Sequence, residues 1–505
     1  MLKLFSRKLY LAIPALLLVG CFVFTGVNTN QASAAETQGY IIQLKSNDKW
    51  MLTAIPGLEK IENLFSHNSS GDSLPEFANT YRFYSNSSLE VLRHAYEDMY
   101  VFLEPESQFV DTATRKKAKD MEPNDPGFST NPNNTDRQWG LHKANFIKAW
   151  EKTTGLKQTI VAVIDTGVDT THADLSRSRF VSGYNTITQR NISRKSNTDD
   201  NGHGTLVTGV IAATANNERG IAGAAYGVSI MPIKALDSDG TGSSSDIAEA
   251  IVWAADHEAD VINLSLGGIG FAHDTVLANA ITYAYEKNVI IVSAAGNDVA
   301  VTGGNLDKEP VFPICHDNGQ NMIIGVTATD YQDLKPSFAN FGKACVDVSA
   351  PGKRIISTIN HDPSTGGESP DSYAYASGTS LAVPYVSSQA ALLRSLFPEA
   401  SNRQIRDRII MSADNIDNLN LSQCAGSSCQ GLLGSGRINA AKSLEQQIIV
   451  LSDGDVVQVN GTSVYYLING GKRQIISSFV KNQRFPRTSV KNVSSEDLKY
   501  FPEGS

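Results

Sequence analysis

The sequence predicts an α/β protein built on a mostly parallel sheet with helices on both faces. Two observations carry this. Short apolar runs recur at 159–164, 228–233, 261–266, 289–293, 322–326 and 346–348, and segments of helical period lie between them at 245–257, 275–287 and 380–396. The runs are also continuously apolar rather than alternating, as strands buried on both faces are. Sheets of this kind bind ligands beyond the carboxyl ends of their strands. Residues that end a strand or start the following helix are therefore the first place to look for chemistry.

The chain has 505 residues, 41% hydrophobic and 19% charged, which gives room for two or three domains. Its net charge of −9 argues against nucleic acid as a main partner, since such binding needs clustered Lys and Arg. Residues 1–34 read as an export signal: Lys3, Arg7 and Lys8, an apolar stretch over 9–27, then Ala32-Ser33-Ala34, with cleavage after Ala34. Two rival readings stand beside it. The apolar stretch is close to the ~20 residues that span a bilayer. Leu18-Val19-Gly20-Cys21 also resembles a bacterial lipid-attachment box. Membrane contact is expected only if the segment stays uncleaved or is lipidated, and every reading puts the rest of the chain outside the cytoplasm.

Residues 36–110 form a small α+β unit, with strands expected at 40–44 and 100–103 and a helix at 88–98. Residues 111–136 are polar and rich in Pro, Asn and Lys, an exposed linker of the kind proteases cut. The α/β domain spans 137–445. Residues 447–505 read as a β-rich accessory module with strands at 456–459, 464–468 and 472–475. Its turn signals are Asn460-Gly461 and Asn469-Gly470-Gly471.

Beyond Cys21 there are Cys315, Cys345, Cys424 and Cys429, an even number suited to an oxidising compartment. Cys424 and Cys429 flank a short loop and are the easiest pair to join, which leaves Cys315 for Cys345. Zinc is the competing reading of the close pair, and no second close pair or nearby His completes its ligands.

Peptide hydrolysis by a serine needs a base, a carboxylate to orient it, an accessible hydroxyl and donors for the oxyanion. Asp165 ends the run Ile160-Val161-Ala162-Val163-Ile164, where a carboxylate is placed to hold an imidazole; it also suits a turn cap. His203 sits between Gly202 and Gly204, ahead of a helix expected over 206–213. Ser380, in Ser377-Gly378-Thr379-Ser380-Leu381-Ala382, opens a small-residue helix. A serine there is usually a cap, and the free N–H groups and helix dipole also favour a nucleophile. Asn297 closes Val292-Ser293-Ala294-Ala295-Gly296-Asn297 and offers an amide N–H to an oxyanion, or merely a turn. Each residue alone is ambiguous. The order Asp, His, Ser with Asn between the last two is not.

On these residues the chain resembles the subtilisin-like serine peptidases (subtilases). The stretches that carry the resemblance are VAVIDTGVDTTHADL, NGHGTLVTGVIAA, INLSLGG, VSAAGN, DVSAPG and SGTSLAVP, within 136–444. The resemblance implies a subtilisin-like three-layer fold and endopeptidase activity on polypeptides through an acyl-enzyme on Ser380. His203 would be general base and acid, Asp165 the orienting carboxylate and Asn297 the oxyanion donor. It also implies substrate contacts by Ser265, Leu266 and Gly267 on one side, with Gly242 opposite. Ala294 and Gly296 would wall the pocket for the residue before the cut, Ser244 would leave the upstream pocket open, and Asp298 would stand at the rim. A structural Ca2+ site is implied at Asp174, Asn217, Arg219 and Ile221, with Gln138 as a further ligand. A solvated loop without metal is its alternative. Leu206 departs from the pattern, since relatives carry a second His there. Residues 36–110 resemble the family's inhibitory propeptides, which implies a self-processing zymogen, a secreted product and a monomer.

Overall fold

The computed structural model describes residues 122–129, 131, 136–175, 179–269, 274–297, 304–316, 321–360 and 372–445, most of 448–503, and the backbone of four strands between 38 and 105. The chain divides into two compact units, Met1–Asp111 and Thr112–Ser505.

In the first unit β1 (Gln38–Leu44), β2 (Leu58–Asn63), β3 (Thr80–Ser85) and β4 (Tyr100–Pro105) form an antiparallel sheet in the order β2-β3-β1-β4. The sequence reading found β1 and β4 and missed the other two. The helix expected at 88–98, the export segment and most of the linker lie outside the described residues.

The second unit is built on a sheet in the order β13-β12-β11-β10-β5-β9-β7-β8, with β6 also pairing β9. The strands are β5 (Ile160–Asp165), β6 (Arg179–Phe180), β7 (Gly183–Asn185), β8 (Arg190–Ile192), β9 (Ser229–Lys234), β10 (Val261–Leu264), β11 (Ile290–Ala294), β12 (Ile323–Thr329) and β13 (Val348–Pro351). From β13 across to β7 every neighbouring pair is parallel, and only β8 runs antiparallel.

The central strand β5 shows why its sequence is an unbroken apolar run. Successive side chains point to opposite faces. Val161 and Val163 enter one core with helices α1 (His203–Ala212) and α4 (Thr379–Leu396). Ala162 and Ile164 enter the other with α2 (Ser244–Asp256) and α3 (Thr275–Glu286). Helix α4 is buried along almost its whole length, which its small and apolar residues permit. Pro384 lies near its start, where the missing N–H costs little.

Strands β14 (Ile355–Thr358) and β15 (Tyr373–Ala376) form a hairpin before α4, and α5 (Asn402–Ser412) follows it behind a Ser401–Gln404 capping box. Both expected disulfides form, Cys315–Cys345 and Cys424–Cys429, so the zinc reading of the close pair falls.

The C-terminal module contains β16 (Val456–Val459), β17 (Tyr465–Asn469), β18 (Lys472–Ile476), helix α6 (Ser478–Arg484) and β19 (Val490–Val493). Its sheet order is β18-β17-β16-β19, and it has a small core of Leu451, Val457, Ile468, Val493 and Leu498. An ion pair of 2.9 Å between Lys499 and Asp407 ties it to α5. Among the described residues no helix is long and apolar enough to cross a membrane.

Candidate active site

The carboxyl ends of β5, β10 and β11 and the starts of α1 and α4 meet at one cleft of about 580 Å³. Asp165, the last residue of β5, is fully buried, and its Oδ1 lies 2.8 Å from His203 Nδ1. The same oxygen accepts from the Thr166 N–H at 2.7 Å, while Oδ2 is buried without a hydrogen-bond partner among the described residues. A half-satisfied carboxylate of this kind favours positive charge on the neighbouring ring.

His203 is the first residue of α1, so the helix starts three residues before the expected 206. The cause is close approach. A β-carbon at Gly204 would lie 1.9 Å from the Gly167 carbonyl oxygen and 3.2 Å from Asp165 Cβ. Gly202, the N-cap, has φ +105°, which a side chain would strain. These glycines let the helix start press against the Asp165 turn and deliver the imidazole to the carboxylate.

A second buried acid, Asp199, holds that junction together. Its Oδ1 accepts from Thr166 Oγ1 (2.8 Å), Asn201 N (3.1 Å) and Gly202 N (2.7 Å). Its Oδ2 accepts from Thr205 N (2.9 Å) and Thr205 Oγ1 (2.6 Å). Asp199 thus binds the segments carrying Asp165 and His203. Burial pulls the His203 pKa down, but the charge and hydrogen bond of Asp165 and the charge of Asp199 outweigh it and leave the ring above its ordinary value.

Ser380, second residue of α4, and Asn297 both line the cleft. Asn297 Oδ1 accepts from Thr379 N at 2.8 Å and Thr379 Oγ1 at 3.2 Å, which turns its NH2 away from them. A β-carbon at Gly378 would lie 2.9 Å from Ser380 Oγ and 3.2 Å from Asn297 Nδ2. Hydroxyl and amide donor therefore open on the same small space, which only a glycine at 378 leaves free. The six residues expected to meet substrate, Ser265, Leu266, Gly267, Gly242, Ala294 and Gly296, all line the cleft. Ser265 Oγ also donates to the Ser380 carbonyl at 2.8 Å, fastening this side of the cleft to the start of α4. Ser244 lines the cleft as well; Asp298 lies outside the described residues. Sequence reading missed the apolar lining from Leu236, Ile247, Leu277 and Phe312, which come from separate elements.

The expected calcium residues gather away from this cleft. Asp174 is fully buried; its Oδ1 accepts from Asn217 Nδ2 at 2.7 Å and its Oδ2 from Ile221 N at 3.0 Å. Burial pushes its pKa up to about 6, against hydrogen bonds from Ile221, Asn217 and Tyr373, and the charge of Asp125 adds to the rise. Asp125 was not foreseen. It is buried and accepts from the N–H groups of Asn216 and Asn217, at 2.8 and 3.2 Å. Two buried carboxylates beside an amide and loop carbonyls suit a hard cation. Gln138 hydrogen-bonds Ala222 at both ends of its amide, accepting its N–H at 2.8 Å and donating to its oxygen at 2.7 Å. Asn217 Oδ1 accepts from Arg219 N at 2.9 Å. Among the described residues no set of three His, Cys, Asp or Glu gathers for a metal, so any ion there depends on amide and carbonyl oxygens.

The family model described as the subtilase family matches residues 156–434. The chain belongs to the subtilase family. It is 42% identical to a thermophilic serine proteinase of Bacillus sp. (strain AK1), over 55% of this chain and 62% of that one. It is 36% identical to an extracellular protease of Xanthomonas campestris pv. campestris, over 61% of this chain and 56% of that one. The chain thus spans little more than half the length of these two relatives. A solved protease structure from Pseudoalteromonas arctica superposes with a TM-score of 0.52 at 28% identity, covering 64% of this chain and 98% of its own.

Proposed function

We propose that this subtilase is a secreted serine endopeptidase that cleaves polypeptides through an acyl-enzyme on Ser380. The observation that carries the reading is the 2.8 Å contact of His203 Nδ1 with buried Asp165, in a cleft shared with Ser380 and the oriented amide of Asn297. An extended peptide lies between Ser265–Gly267 and Gly242, adding main-chain hydrogen bonds to the exposed edge. Ser380 Oγ attacks the carbonyl carbon while His203 takes the hydroxyl proton. Asp165 holds the ring and stabilises its charge. Asn297 Nδ2 donates to the oxyanion, a contribution of about 2.7–4 kcal/mol to the barrier. His203 then protonates the leaving amine, and water enters by the reverse steps to release the acid.

Calcium would be held by Asp174, Asp125 and Asn217 with the carbonyls of Arg219 and Ile221. It would neutralise charge that burial otherwise penalises. Secretion is supported by the 1–34 segment, by the disulfides and by the extracellular relative. Residues 36–110 serve as the inhibitory propeptide of a self-processing zymogen, and 111–136 as the region where it is cut. The division at Asp111 supports that boundary. The 137–445 domain is catalytic, and the 447–505 module serves attachment or substrate capture.

The test follows the mass of the chain from residue 36 onward, with calcium, beside Ser380→Ala. Only the wild type should shed its N-terminal segment and then cut an unfolded protein. If both folded proteins stay intact and inactive, even after trace proteolysis, the chain is a binding protein that kept the fold.

A further inference from the structure

One buried cation has no part in the mechanism above. Lys335 is only 4% exposed, and among the described residues no carboxylate pairs with its ammonium. The neighbouring acids are turned elsewhere: Asp330 to Lys353 at 3.7 Å, and Asp333 to Lys143 and Arg437 at 3.0 and 2.7 Å. Asp417, near Asn420 in the chain, accepts from Gly431 N. Burial without a counter-charge pulls the Lys335 pKa down to about 8. A cation held in the interior on such terms is costly, and only its neutral contacts offset that cost.

Those contacts close a turn. Lys335 Nζ donates to the carbonyls of Pro336 at 2.9 Å and Ala339 at 2.8 Å, and lies 5.2 Å from the centre of the Phe341 ring. Ala339 N donates to the Pro336 carbonyl at 3.1 Å, so the ammonium grips both ends of a turn over 336–339. The root of the side chain is fixed from behind. Lys335 N donates to Asn420 Oδ1 at 2.7 Å, and the Asn420 amide donates in turn to the carbonyls of Asp333 and Ile416.

The turn backs the oxyanion donor. Ala339 forms an antiparallel bridge with Asn297. Its neighbour Asn340 donates from N to the Gly296 carbonyl at 3.1 Å and from Nδ2 to the Ala295 carbonyl at 3.0 Å. The two carbonyls leading into Asn297 are therefore held by the residue that follows the turn. On its other side Asn297 is held by Thr379 at the start of α4. The direction of its NH2 depends on both supports.

We infer that Lys335 is a positioning residue for the oxyanion site: by tying Pro336 to Ala339 it fixes the backbone that holds the 295–297 segment and so aims the Asn297 amide. The inference rests on the peptidase reading above. A misplacement on the order of 1 Å can cost about 10²-fold in rate, so a partial loosening of this turn is worth about tenfold.

The experiment is a double-mutant cycle on the activated full chain. Values of kcat and KM are measured on an internally quenched peptide for wild type, Lys335→Met, Asn297→Ala and the double variant. Met keeps an unbranched stem and removes the donors. Lys335→Met should lower kcat by at least about tenfold with KM nearly unchanged, but by less than about twofold when Asn297 is already Ala. The same factor in both backgrounds, a change confined to KM, or an unchanged kcat overturns the inference and leaves the peptidase reading intact. Should the Met variants fail to fold, wild type and Asn297→Ala are compared from about pH 7 to 10. Loss of the Lys335 proton near pH 8 turns charged donors into weaker neutral ones. The rate advantage of wild type over Asn297→Ala should then shrink by at least about threefold, while the His203 titration cancels in the ratio. A constant ratio overturns the inference. A folded wild type that cuts no peptide overturns both.

Discussion

Replacing Asp199 by Asn takes one acceptor oxygen out of a buried knot of donors while keeping the shape of the side chain. The carboxylate serves Thr166 Oγ1, Asn201 N and Gly202 N on one oxygen and Thr205 N and Oγ1 on the other. An amide turns its NH2 toward one of these groups whichever way it faces. At least one buried backbone N–H then lacks a partner, which costs about 1–3 kcal/mol. The remaining bonds lose their charged acceptor, so the total loss of stability is about 2–4 kcal/mol. The orphan lies in 201–205, the segment that carries His203, and a shift of the ring by about 1 Å costs about 10²-fold in rate. A second readout separates positioning from simple weakening. The negative charge of Asp199 is one of the causes that raise the His203 pKa. Removing it destabilises the imidazolium, so the pKa falls. The base works when neutral, so the acidic limb of kcat/KM must move to lower pH. The assay is kcat/KM against pH from about 5 to 9, with thermal unfolding alongside. A limb that stays in place or moves to higher pH would refute the argument, even if stability fell.

Two other perturbations have definite outcomes. Asn297→Ala should lower kcat by roughly 10²–10³ and leave KM nearly unchanged, because the oxyanion exists only beyond the ground state; an equal rise in KM would point to substrate binding instead. Calcium should raise Tm, and more at about pH 8 than at about pH 5. Asp174, raised to about 6, costs folding free energy as it ionises with rising pH, and at low pH a proton competes with the ion. Asp174→Asn should abolish the calcium response; a response that survives places the ion elsewhere.

Much of the fold was legible because burial on both faces writes itself into the sequence as continuous apolar runs, as in Ile160–Asp165 and Ile290–Ala294. Long amphipathic segments such as Thr275–Glu286 were equally plain, since their apolar period survives any exact choice of ends. Thr80–Ser85, with polar and aromatic residues mixed, lacked that signal, and so did the short Val490–Val493. The start of α1 was misplaced because Gly202 and Gly204 read as loop. Their helix-start role follows from the positive φ of Gly202 and from the packing of Gly204 on Gly167, a partner distant in sequence. Asp165, His203, Ser380 and Asn297 were legible as candidates because they end or follow strands or start helices in a recognisable order. Asp125 and Asp199 were not. A single acid in a polar loop acquires its role only from residues brought to it by the fold.

The most direct test of the account is covalent capture of the nucleophile. A fluorophosphonate probe, which phosphonylates a serine only when a base and an oxyanion site activate it, is applied to the activated wild type and to His203→Ala, and the label is located by peptide mass. The account predicts one label, on Ser380, in the wild type and little or none in His203→Ala. A label elsewhere, or none on folded wild type, contradicts it.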